Sequence, residues 1–488
     1  MLRDFVRQTS HYTIGNVLAT LAGLISFPIL TRMLTVEQYG LMALITSSLG
    51  MLVAIGKFGM QHPIMRFYSD ARAGVSGWNL DQYYATVVGS VTVLGVGVVF
   101  FWLIIISLLP ASLLNNEQLR WLLYLTASLV LIRIAESAVL NIMKARERSG
   151  AIGIYTVLKR YGVLGCIVAS LYFISRDLTA VFGATIVAEL IAVTAITIVM
   201  LKGVVLRASA FSSSLLRAML AFGIPMIGME VASILLSIGD RYLIQGFLGA
   251  QELGYYAAAY NLCEYIQAIV LLAVTSAVQP IYMRMWSQEG PAKTIEFIDE
   301  SLHFYILAGI PMIAGLTVIG TDLVAVLATG NFESGAQIIP WVIGGMILEG
   351  ATIFLGAGLY LQKQGIAMAA LVGAAAALNL SMNLFMIPRY GIDGAAIATF
   401  VSFIFLGAAT ITVARRSVSI VIPWRHLLKT CLIAYSMYLW LPLIDLESRA
   451  LTIFAQMLCG AIYYGIMITV FDRRFRQALT ARSSLKRT

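Results

Sequence analysis

Three cations and five carboxylates stand inside long apolar stretches of this chain: Arg133, Lys159 and Arg160, with Glu136, Glu189, Glu230, Glu264 and Glu349. An ionisable side chain in such a setting is costly, and it tends to mark a substrate or ion path. Arg offers a planar fork and Lys a point charge, and both hold anionic oxygens through charge-assisted hydrogen bonds. A carboxylate in the same setting can take a proton or a sodium ion, or accept hydrogen bonds from hydroxyl groups. Plainer roles stand beside these. Arg133 and Glu136 are spaced i,i+3 and could simply neutralise each other on one helix. Lys159 or Arg160 could line a wet lumen passively, and as neighbours they point to different helix faces. Each Glu could be a structural hydrogen bond between helices.

Depth singles out two of the cations. Arg133 lies eleven residues before Lys144 and Lys159 nine residues after Gly150. At helical rise these distances are about 16 Å and about 14 Å from one face, on neighbouring antiparallel segments. The two charges therefore share a level. Glu230 falls about 20 Å from Arg217, and Glu349 about 14 Å from the far end of its segment.

Elements long enough to carry charges at such depths are membrane spans. Hydrophobic residues make up 60% of the 488 and charged residues 12%, against about 25% charged in a soluble chain. Fourteen apolar runs fit the length of about 20 residues that a bilayer requires. They lie near 12–34, 39–60, 84–109, 121–142, 150–174, 180–201, 218–239, 254–277, 297–320, 338–361, 365–387, 394–414, 428–444 and 450–471. The sequence predicts an all-α integral membrane protein, with Met1 to Arg7 leading into a retained first span.

Placing the N-terminus in the cytoplasm puts 23 of the 33 Lys and Arg residues in inside segments and 6 in outside ones. That asymmetry is what the positive-inside rule requires, so both termini are expected in the cytoplasm. The basic tail reads as an anchor to the membrane face rather than a nucleic-acid binder. Four dispersed cysteines and four scattered histidines signal neither a disulfide framework nor a metal site, and no phosphate-binding loop occurs. No cofactor is expected.

The chain also repeats itself. RMLTVEQYGLMAL from Arg32 matches GFLGAQELGYYAA from Gly246, with Gly40 opposite Gly254 at an offset of 214. QHPIMRFYS from Gln61 resembles QPIYMRMWS from Gln279, and Gly150 and Gly183 find counterparts at Gly365 and Gly394. An offset holding six spans leaves both halves in the same orientation, as in parallel-repeat transporters with a path between the halves. The expected divisions are a first six-helix lobe over 1–217, a second over 218–427, two extra helices over 428–471 and a basic tail over 472–488. In this alignment Glu349 falls within one residue of the counterpart of Arg133, which suggests a cationic and an acidic lobe at similar depth.

Several stretches resemble the polysaccharide transporter family, the Wzx-type flippases of the MOP superfamily. They are HYTIGNVLATLAGLISFPILTRMLTVEQYG from His11, DRYLIQGFLGAQELGYYAAAYNL from Asp240, GNFESGAQIIPW from Gly330 and IPRYGIDGAAIAT from Ile387. The resemblance implies two six-helix lobes around a central cavity. It also implies flipping of a polyprenyl-diphosphate-linked oligosaccharide across a bacterial cytoplasmic membrane for cell-surface polysaccharide synthesis. Under that reading Arg133, Lys159 and Arg160 are the expected diphosphate ligands. Glu230, Glu264, Glu349 and Glu189 are expected to couple a proton or sodium ion or to bind sugar. Association with polysaccharide polymerase machinery is a further expectation, and nucleic acid is not a partner. The alternatives are a cation-coupled multidrug antiporter of the same superfamily, a lipid II flippase and a membrane-embedded glycan polymerase. The last would need acid/base residues on a sizeable outer loop, where residues 321–338 offer only Asp322 and Glu333.

Tyr255, Tyr256 and Tyr260 are possible sugar-stacking residues. Trp78, Trp121, Trp341 and Trp424 sit at span ends as interfacial anchors. Pro28, Pro225 and Pro311 are expected bending points.

Overall fold

The computed structural model describes the backbone of all residues except 1, 75–76, 109–116, 416–417, 419–422, 473 and 478–488; side chains at 2–14, 117, 225 and 272–277 are likewise outside the description. The tail beyond Gln477, its three distal cations included, and the side chains of Arg3, Arg7 and Pro225 therefore lie outside the described residues. The chain is helical almost throughout, as an apolar environment demands, because a helix satisfies its backbone polar groups within one segment.

The chain divides into two compact units, Met1–Gly254 and Tyr255–Thr488. In the first, α1 (Leu2–Met33), α2 (Val36–Gly56), α3 (Gln61–Ala73) and α4 (Leu80–Leu108) are followed by α5 (Glu117–Ala145), α6 (Ser149–Phe173), α7 (Leu178–Leu201) and α8 (Ser213–Leu248). Local sequence fixes the starts. Thr35 and Gln38 exchange side-chain and backbone hydrogen bonds of 3.2 and 3.0 Å in a capping box. Asp177 accepts from the Ala180 N–H at 2.8 Å, which opens α7. Within this unit α5 packs on α2, α3, α4 and α7, and α6 lies between α1 and α7.

The second unit takes over inside α9 (Ala250–Gln288). It continues through α10 (Pro291–Ala328), α11 (Ile339–Leu355), the short α12 (Ala357–Leu361), α13 (Gly365–Ala414), α14 (Trp424–Trp440) and α15 (Arg449–Phe471). Here α11 packs on α10 and α13, while α14 and α15 pack on each other and on α10. By contacts α8 belongs with the first unit, 37 residues past the division at 217 that the repeat suggests.

Eleven helices among the described residues are long and apolar enough to cross a membrane. Two of the fourteen expected spans, 365–387 and 394–414, fall inside the 50-residue α13. There Gly391 leaves helical geometry at φ 61°, ψ −143°, a conformation that suits a residue without a Cβ. The expected span at 428–444 matches a helix of 17 residues, just short of that measure. Pro28 and Pro311 both sit inside continuous helices, so among the described residues of these elements the break occurs at Gly391.

Candidate functional site

The deep charges of the first unit form one network. Arg133 and Glu136 lie on α5, Tyr155 and Lys159 on α6, and Glu189 on α7. Arg133 donates from Nε and Nη2 to the two carboxylate oxygens of Glu189, at 3.0 and 3.1 Å. Lys159 Nζ reaches Glu136 Oε2 at 2.6 Å and Glu189 Oε1 at 3.4 Å. The Tyr155 hydroxyl donates to the other oxygen of Glu136 at 2.8 Å. The four ionic side chains are between 7% and 26% exposed, Glu189 the most deeply buried and Arg133 the least. Two cations and two carboxylates sum to zero, which is how buried charges are tolerated.

Two expectations change here. Arg133 pairs with Glu189 on another helix rather than with Glu136 three residues away, because the i,i+3 spacing aims Glu136 at the Lys159 ammonium of α6. Arg160 takes no part: one residue after Lys159, its side chain is exposed and has no ion pair among the described residues. Tyr155 was missed, although its i,i+4 spacing to Lys159 puts both on one face of α6.

Beside this network, α6 and α7 enclose a groove of about 510 Å³. Ile154, Leu158, Val163, Ile191 and Ile196 are among its lining residues, and Lys159 is its one charged lining residue among those described.

The remaining acids divide. Glu230, on α8, belongs to the first unit, where Gln61 donates to it at 2.6 Å and Lys57 Nζ lies 3.6 Å away. The expected contrast of a cationic first lobe with an acidic second one therefore fails, since the cations of the first unit are already balanced by acids of the same unit. Glu264 on α9 and Glu349 on α11 are different. Both reach accessible space, their charges repel each other, and neither carboxylate has a hydrogen-bond or ion-pair partner among the described residues. Tyr305 approaches Gly350 so closely that a Cβ there would fall 2.1 Å from its hydroxyl, which holds α10 against α11 beside Glu349.

Tyr256 and Tyr260 are buried against protein, at 0% and 7% exposure, which leaves no open face for stacking on a sugar. Asp322 and Glu333 are engaged by Arg449, at 3.7 and 2.5 Å. Trp121, Trp341 and Trp424 are exposed, as interfacial anchors must be.

The long apolar helices define a multi-pass membrane protein, and its fold is that of the MOP transporters. The structure is similar to "Lipid II flippase MurJ, inward closed conformation", with a TM-score of 0.81 at 14% identity, covering 95% of this chain and 99% of the other. It is also similar to an inward-facing multidrug resistance MATE transporter, with a TM-score of 0.63 at 12% identity over 84% and 94% of the two chains. Residues 5–286 match the model of the family described as polysaccharide biosynthesis protein, and the chain belongs to that family. Among characterised relatives, the probable low-salt glycan biosynthesis flippase Agl15 of Haloferax volcanii is 24% identical over 419 residues, covering 82% of this chain and 81% of that protein.

Proposed function

We propose that this protein is a secondary transporter that flips a polyprenyl-diphosphate-linked oligosaccharide across the bacterial cytoplasmic membrane, by alternating access between two lobes, for cell-surface polysaccharide synthesis. The observation that carries this reading is the buried Arg133–Glu189–Lys159–Glu136 network beside an apolar groove whose one charged lining residue, among those described, is Lys159. A diphosphate on a long hydrocarbon chain needs these two environments side by side. In the resting protein the carboxylates hold the cations, so neither charge is stranded in low dielectric. A diphosphate entering from the cytoplasm competes for Arg133 and Lys159 with more negative charge than either carboxylate carries. The displaced Glu136 keeps the Tyr155 hydroxyl. The groove between α6 and α7 then takes part of the polyprenyl chain. Family membership and the relative named as a glycan biosynthesis flippase support this assignment.

Of the four acids considered for ion coupling, Glu264 and Glu349 suit it best. They repel each other and lack partners among the described residues, whereas Glu189 and Glu230 are already engaged. A proton or sodium ion between them relieves the repulsion, so its binding and release is a source of conformational bias.

The test is reconstitution in proteoliposomes with defined lipid-linked glycans, following exposure of the glycan on the far leaflet. Transport of an undecaprenyl-diphosphate oligosaccharide is expected. Efflux of organic cations with no glycan movement would assign the chain to the antiporter reading, and movement of lipid II alone to the lipid II flippase reading.

A further inference from the structure

A second polar cluster lies in the other unit, built from residues that are far apart in the chain. His303 sits on α10, His426 in the first turn of α14, and Asp472 directly after α15. His303 Nε2 lies 3.1 Å and His426 Nδ1 3.3 Å from the same oxygen, Asp472 Oδ2. The two imidazoles stand nearly perpendicular with centroids 4.6 Å apart. The other oxygen, Oδ1, accepts the Phe475 N–H at 2.9 Å, which fixes the carboxylate with Oδ2 turned toward both rings.

We propose that His303, His426 and Asp472 bind a transition-metal dication of the zinc class. Metal–ligand bonds of about 2.0–2.1 Å in a tetrahedron place the ligand atoms about 3.3 Å apart; the two contacts to Asp472 Oδ2 have about that length, and all three ligand atoms lie within 4.8 Å of one another. Two imidazoles and one carboxylate form a donor set zinc accepts, with the fourth position left to water. The second observation is His303 itself. It is 1% exposed, and neither ring nitrogen makes a well-aligned hydrogen bond among the described residues, although Nε2 is close to Asp472. Buried polar atoms are rarely left without well-aligned partners, and a ring nitrogen 3.1 Å from a carboxylate oxygen but poorly aligned with it can give up its proton to share a metal with that oxygen. His426, 30% exposed at its side chain, supplies the route of entry. The Phe475 amide does for Asp472 what outer-shell hydrogen bonds do for other metal-binding carboxylates.

The surroundings are compatible with a dication. Among the described residues Arg474 is the cation that interacts with His303, but it is exposed and also interacts with Asp299, one helical turn before His303. A bound metal would cross-link three helices and fasten α14 and α15 to α10.

The test uses the full-length protein in detergent, stripped with chelator and titrated with zinc alone, and separately with cobalt. Wild type is expected to bind one equivalent of zinc, to give a cobalt absorption band of low-coordinate type, and to unfold at a higher temperature with zinc. His426→Ala, partly exposed and so the variant least liable to misfold, should bind zinc at least tenfold more weakly and lose the thermal shift. His62→Ala should behave as wild type. Equal zinc binding by wild type and His426→Ala would overturn the proposal. So would a wild-type unfolding temperature that zinc does not raise, which would leave Asp472 as an ordinary hydrogen-bonded carboxylate.

Discussion

Arg133 and Glu189, 56 residues apart, meet as a two-pronged pair between α5 and α7, with Nε–Oε2 at 3.0 Å and Nη2–Oε1 at 3.1 Å. The pairing decides which double variant separates a structural from a substrate-binding arginine. Arg133→Gln leaves Glu189 buried with Lys159 as its remaining cation, and breaking such a pair costs on the order of 3 kcal/mol. Arg133→Gln with Glu189→Gln removes both charges and should recover most of the stability. Glycan export should stay low in both, because the substrate still lacks the guanidinium. Thermal unfolding of purified protein and export from cells at matched protein level are the measurements. Full recovery of export in the double variant would make Arg133 purely structural. Adding Glu136→Gln to Arg133→Gln instead also restores neutrality and leaves Lys159 to Glu189, so it should recover stability only in part, since the two-pronged contact is not replaced.

Lys159 is the hinge between the ionic network and the groove. Lys159→Gln should weaken substrate binding roughly tenfold to a hundredfold, the worth of a charge-assisted hydrogen bond of about 1.5–3 kcal/mol, while Lys159→Arg retains part of it. Ala192→Trp, which fills the groove without touching a charge, should lower transport of long-chain substrates more than that of short-chain analogues. Transport rates across a series of prenyl lengths check this, and equal losses for all lengths would remove the groove from the substrate path.

Coupling is predicted to reside in the Glu264–Glu349 pair. Because the two repel each other, neutralising either one removes the repulsion that a proton or sodium ion would relieve. Glu264→Gln and Glu349→Gln should each flatten the response of transport to imposed proton or sodium gradients while leaving downhill flipping. Glu230→Gln should leave the gradient response intact. If wild-type transport ignores both gradients, the pair has no coupling role.

The glycines matched by the repeat, Gly40 and Gly254, pack against each other's helices. A Cβ on Gly40 would lie 2.0 Å from the Ala250 carbonyl oxygen, and one on Gly254 2.1 Å from that of Val36. Backbone cannot yield as a flexible side chain can, so Gly40→Ala and Gly254→Ala should each destabilise by about 1–3 kcal/mol. Gly165→Ala, with open space around it, should be neutral or stabilising by up to about 1 kcal/mol. Thermal unfolding of the three variants tests the contrast.

Topology follows from charge. Both termini should be cytoplasmic, and the turns at Glu37, Gln251 and Asp393 should be outside. Single cysteines placed there in a background free of Cys166, Cys263, Cys431 and Cys459 should react with impermeant reagent in intact cells. Labelling of the tail from outside would overturn the orientation.

What this chain is was written in quantities that need no third dimension. The apolar content, the length of the runs and the Lys/Arg asymmetry require a helical membrane protein, because backbone and charge face the same solvation penalty at every point of a bilayer. The repeat added Gly40 and Gly254 as matched positions, and helical rise placed Arg133 and Lys159 at one level. The choice of partners lay beyond that reach. Depth fixes where a residue stands along a helix axis, but the helices' rotation and neighbours determine whom it meets. Packing therefore gave Arg133 to Glu189 and Lys159 to Glu136, put Glu230 with Lys57 and Gln61, and brought Glu264 near enough to Glu349 for their charges to interact. His303, His426 and Asp472 looked scattered for the same reason: the start of α14 and the end of α15 meet a residue inside α10 only when those two helices fold onto α10, and side-chain spacing along the chain carries no record of that docking.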